Sequence, residues 1–144
     1  VTEIAPGFAY QGNGWTLKSC AVPHAQPAFD CMAFSVEAGG KKFVYSGDAA
    51  ICDSLKKLAQ NADVLLHWCY RLSIDPIHPA ISAMSPTPAD TAKMAEAAGV
   101  KKLLLSHFRI HMDTEEGHAS AHADLKDHFA GPAEIIEDLN AYEI

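Results

Sequence analysis

Phe43-Val44-Tyr45-Ser46-Gly47-Asp48-Ala49-Ala50 is the stretch on which the fold of this chain turns. Lys41 and Lys42 lead into a short apolar run rich in β-formers, which stops at Gly47-Asp48. That pattern reads as a buried strand releasing its last side chain into a loop. Asp48 then stands at a strand's C-terminal end, the edge where sheet-based enzymes gather reactive groups because the scaffold is rigid and the loop is open. Taken singly, an aspartate after glycine is a turn or helix-cap residue. His24 and His107 change that, because each also follows an apolar, strand-like run.

Upstream, Val1 to Tyr10 alternates in polarity and runs into Gln11-Gly12-Asn13-Gly14, a turn signal that predicts a hairpin with the next strand. Trp15 to Val22 alternates as a strand and is closed by Pro23, leaving His24 at its end. Cys31 to Glu37 and Lys42 to Ser46 flank Gly39-Gly40, so four successive strands with short turns predict an antiparallel sheet. Downstream the period changes. Asp53 to Ala59 sets Leu55, Leu58 and Ala59 on one helical face. Val64 to His67 is a short strand, and Leu72 to Pro88 a long connection of the kind that often carries function. Pro88 opens a helix that Gly99 stops. Lys102 to Ser106 is a strand ending at His107, Ala119 to Phe129 a third helix, and Ile135-Ile136 and Ala141 to Ile144 close the chain as short strands. The whole predicts an α+β protein, one domain over residues 1–144, with a mixed sheet and about three helices.

At 144 residues and 49% apolar, the chain can bury a real core. No run is long and apolar enough to cross a bilayer. The formal charge of −7 offers no basic stripe for a phosphate backbone, which favours a small-molecule substrate, no nucleic acid and no membrane surface. Cys20, Cys31, Cys52 and Cys69 form no CxxC pair and read as reduced, buried thiols of a cytoplasmic protein.

Imidazole and carboxylate are ligands that zinc and iron accept, and strand ends hold them rigidly. Val22-Pro23-His24, Phe43 to Ala50, Leu58 to Tyr70, Ala92 to Phe108 and the C-terminal EDLNAYEI together resemble the metallo-β-lactamase superfamily, in its ribonuclease Z-like branch. The resemblance covers nearly the whole chain and matches the C-terminal half of the family domain, implying half of an αββα sandwich. It implies metal ligation by His24, Asp48 and His107, with Asp48 bridging two zinc ions in a complete site; iron or manganese are alternatives. It also implies a hydrolase acting on an ester, lactone or phosphodiester through a metal-bound hydroxide.

Two departures qualify that resemblance. The family's first metal motif, HxHxDH, is absent from this sequence, which leaves three ligands for one or no metal ion in this chain alone. Where ribonuclease Z has HEAT, His67-Trp68-Cys69-Tyr70 stands here, and Ser85 occupies the position of the proton-relay histidine. These changes argue against specific tRNA processing and leave the catalytic residues unassigned. His67, His78 and Ser85 are candidates for the pocket wall, His67 also reading as a packed, hydrogen-bonded residue. The alternative to a hydrolase is a truncated, catalytically silent module. Such a module would cover its exposed sheet by forming a homo-oligomer or by associating with a missing N-terminal half.

Overall fold

The computed structural model describes residues 1–24, 28–75, 79–110 and 112–144, with only the backbone course for residues 79 and 80. Seven strands form one sheet in sequence order: β1 (Ala9–Gln11), β2 (Trp15–Val22), β3 (Cys31–Ala38), β4 (Lys41–Tyr45), β5 (Val64–Trp68), β6 (Lys102–Ser106) and β7 (Ala133–Ile135). The first four pair antiparallel, as the alternation predicts, with short turns between β1 and β2 and, at Gly39-Gly40, between β3 and β4. From β4 onward every pairing is parallel. The crossovers that parallel pairing requires are the helices: α1 (Asp53–Leu58), α3 (Pro88–Ala97) and α4 (Glu115–His128), with the single turn α2 (Pro79–Ser82) inside the long connection.

Helix α3 shows how local chemistry sets a boundary. Thr87 accepts a hydrogen bond from the Asp90 backbone N–H at 3.1 Å while the Asp90 carboxylate accepts from the Thr87 N–H at 3.1 Å, and Pro88 takes the first helical position. This reciprocal pair satisfies donors that a helix start leaves without partners. The end is Gly99, at φ +67°, a conformation that costs glycine nothing.

The helices share one face of the sheet. Val22, Ala33, Val44, Leu65, Leu103 and Leu105 point to it and are buried against Leu55, Ala59, Ala92, Ala95, Ala121 and Leu125. The opposite face carries Leu17, Phe34, Val36, Phe43 and Leu66, all half-buried, and Tyr45, exposed. Because side chains alternate along a strand, each β-residue is committed to one face by register alone.

Four expectations are corrected. Residues 1–8 lie outside the sheet, and β1 is only three residues long. Residues 141–144 form no strand, although Tyr142 accepts a hydrogen bond from the Glu137 N–H at 2.8 Å. Helix α4 begins at Glu115, not Ala119, because the Thr114 hydroxyl accepts from the Gly117 N–H at 3.0 Å and Glu115 and Glu116 suit the positive helix start. The four cysteines are free thiols, of which only Cys69 is buried and the others are half-buried. Burial pushes the Cys69 thiol up to about 12, so it is not a nucleophile near neutral pH.

Candidate functional site

The C-terminal ends of β2, β4, β5 and β6 meet at one edge, and each delivers a side chain there. Three backbone hydrogen bonds knit the ends together. The Ala50 N–H donates to the Pro23 carbonyl at 2.8 Å, the Ser46 N–H to Leu66 at 3.0 Å, and the Cys69 N–H to Ser106 at 2.8 Å. His24, Asp48 and His107 are the residues just beyond those ends.

Asp48 is common to both histidines. Its Oδ2 lies 3.8 Å from His24 Nε2 and 3.8 Å from His107 Nε2. Both separations exceed a hydrogen bond, so the three groups converge without being bonded to one another. Two residues in left-handed backbone frame the edge. Gly47 has φ +59°, and a Cβ there would sit 3.0 Å from the Met32 carbonyl, so a side chain at this position is strained. His107 has φ +60°, uncommon for a residue with a side chain and a strain that recurs at functional sites.

Trp68, at the end of β5, fills the floor between the histidines. Its ring meets His24 edge-on at 4.9 Å and His107 edge-on at 5.8 Å between centroids. The indole N–H donates to the Ala49 carbonyl at 2.6 Å and the Trp68 backbone N–H to Ser46 Oγ at 3.2 Å. Ser46 in turn donates its hydroxyl to the Gly47 carbonyl at 2.6 Å, so the tryptophan and the turn carrying Asp48 brace each other.

The donor types suit a divalent metal: two imidazoles and an acceptor-only carboxylate. They make a partial set. Among the described residues, no group of three or more His, Cys, Asp or Glu side chains is arranged to hold a metal ion unaided. His24, Asp48 and His107 thus bring metal-binding donor types to one edge at separations of 3.8 Å from the shared carboxylate oxygen.

Of the other candidates, His67 and Ser85 are both buried. His67 points to the helix side of the sheet, wholly buried, with Nδ1 2.7 Å from the Trp68 carbonyl and Nε2 without a partner. Burial lowers its pKa to about 4, so it is neutral at physiological pH and closed to solvent. Ser85 is buried, and its carbonyl accepts from Arg71 Nε at 2.9 Å. That buried arginine also donates to Ser82 Oγ at 2.8 Å and so anchors the long connection, a role that composition does not signal. His78 lies outside the described residues.

The whole is an α+β scaffold, a mixed sheet with helices on one face and histidine and aspartate side chains at its strand ends. The family described as Beta-lactamase superfamily domain matches residues 1–108, and the chain belongs to that family, on its ribonuclease Z-like branch. A protein named ribonuclease Z from Mycobacterium tuberculosis is 30% identical over 151 residues, covering all of this chain and 54% of that protein. The chain thus spans about half the length of this curated relative. Among solved structures, the metallo-β-lactamase fold protein YhfI from Bacillus subtilis superposes with a TM-score of 0.80 at 23% identity, over 97% of this chain and 54% of YhfI. Human tRNase Z, short form, superposes with a TM-score of 0.60 at 25% identity, over 71% of this chain and 39% of that one.

These relatives overturn the expectation of a small-molecule substrate and no nucleic acid, since two of them are named for cutting RNA. The reasoning from charge failed for a physical reason. Net charge averages the whole surface, whereas a phosphodiester is gripped by a few local cations. Among the described residues, no helix is long and apolar enough to cross a membrane.

Proposed function

We propose that this chain contributes to a metal-dependent hydrolase that cleaves a phosphodiester of RNA, with His24, Asp48 and His107 among the metal ligands. The observation carrying this reading is the shared approach of two imidazole nitrogens, from separate strand ends, to one Asp48 oxygen at equal distances of 3.8 Å. An ion pair with either histidine alone would draw the carboxylate to that side. Equal, non-bonding separations support an arrangement that leaves room for a cation.

A bound divalent ion supplies Lewis-acid polarisation of a phosphoryl oxygen and a lowered pKa for water. The chain's own residues orient that chemistry. Asp48 offers a fixed negative charge, steadied through the Gly47 turn and Ser46. Trp68, almost wholly buried, keeps water from the floor of the edge and limits rotation of both imidazoles. Zinc is the metal the imidazole and carboxylate donors favour. Four free thiols support action in a reducing compartment such as the cytoplasm.

The test is turnover of a labelled precursor tRNA and of a simple activated phosphodiester, with zinc added and with chelator added. Cleavage that depends on zinc and is lost in Asp48→Asn and His107→Ala supports the reading. Turnover indifferent to chelator, or to both substitutions, sinks it.

A further inference from the structure

Arg109 lies two residues beyond His107, with its guanidinium carbon 5.1 Å from the centre of the Tyr70 ring. Tyr70 is half-buried and packs on Trp68, ring centroids 5.3 Å apart, and Trp68 touches both His24 and His107. An unbroken series of ring contacts thus ties this cation to the candidate metal ligands. Among the described residues no carboxylate pairs with Arg109, and its side chain is exposed. A guanidinium held over an aromatic ring by a cation–π contact still has N–H groups free to make the forked contact that matches a phosphate.

The surroundings favour an anionic ligand on this flank. A cleft of about 590 Å³ beside His107 is edged by Asp113, Glu137 and Asp138, with His118 also in its wall. A polyanion is repelled there, and in a chain of net charge −7 it needs a positioned cation to approach the strand ends at all. Arg109 is such a cation.

We propose that Arg109, held over the Tyr70 ring, grips a backbone phosphate of the RNA next to the linkage being cut. This deepens the RNA-hydrolase reading and rests on it. Tyr70 is a positioning residue, acting through the arginine.

The experiment measures binding of a labelled, short single-stranded RNA oligonucleotide to the whole chain by fluorescence anisotropy, in chelator and across a range of salt. The wild type binds, and Arg109→Ala weakens binding about tenfold and lowers the log–log salt slope by about 1. Arg109→Lys keeps the slope while losing part of the affinity, because charge remains and the fork does not. Tyr70→Phe binds like the wild type, whereas Tyr70→Leu binds more weakly with its slope kept. A wild type that binds no RNA, or an Arg109→Ala variant with unchanged affinity and slope, overturns the proposal. The two readings fail separately. Arg109-dependent binding without zinc-dependent cleavage removes the hydrolase and leaves the anchor, while zinc-dependent cleavage indifferent to Arg109 does the reverse.

Discussion

The indole N–H of Trp68 donates to the carbonyl of Ala49 at 2.6 Å, one residue beyond Asp48. Through that bond the residue between the two histidines also fixes the loop that carries the carboxylate. Truncation therefore acts on stability and site together. Trp68→Phe strands a buried carbonyl and costs about 1–3 kcal/mol, whereas Trp68→Ala, which also opens a cavity, costs about 3–5 kcal/mol. Urea denaturation of both variants measures this. Equal midpoints for Trp68→Phe and wild type would show that the bond contributes nothing.

Gly47 is the hinge on which Asp48 turns. Gly47→Ala forces a side chain into left-handed backbone and against the Met32 carbonyl, 3.0 Å from the new Cβ. The strain costs about 1–2 kcal/mol, and relief moves the turn and Asp48 with it. A lower melting temperature together with weaker zinc binding is expected. A drop in melting temperature with zinc binding intact would separate the turn from the site.

His67 gives stability a pH dependence of defined sign. Burial holds its folded pKa near 4, below the ordinary value of 6.5. Below pH 6.5 the unfolded chain takes up a proton that the folded chain refuses, so stability falls as pH drops from 6.5 to about 4. The loss is on the order of 3 kcal/mol. His67→Phe removes the titrating group and flattens this limb. Equilibrium unfolding at several pH values checks it, and an unchanged slope in the variant would assign the dependence elsewhere.

Asp63 produces a separate acid limb. Lys101 Nζ donates to its Oδ1 at 2.9 Å and the Lys42 backbone N–H to its Oδ2 at 2.8 Å, and the Lys101 bond, first, then the backbone bond hold the carboxyl below its ordinary value of 3.8. A depressed carboxyl stabilises the fold above its unfolded pKa, and that contribution is lost as pH falls through the lower, folded value. Asp63→Asn should be less stable at neutral pH and lack this lowest-pH decline. Parallel acid titrations followed by circular dichroism distinguish it from His67→Phe, whose effect ends near pH 4.

Much of this protein is written locally. Alternation marks β2 and β3, a proline closes β2 ahead of His24, and Pro88 and Gly99 bound α3, because hydrogen-bond geometry and φ preference act over only a few residues. Helix α4 is misjudged by four residues because its first turn, Glu115 to His118, is polar and its start rests on a Thr114 cap rather than on apolar periodicity. Tertiary structure alone turns β4 to β7 parallel, sends His67 to the core and stands Trp68 between two histidines. Those outcomes join residues as distant as 24, 68 and 107, and such contacts arise only when strand order and sheet face are fixed together. The i, i+2 spacing of Trp68 and Tyr70 hints at a shared face. That Arg109 lies over it is decided by the backbone turn after His107, which no local pattern encodes.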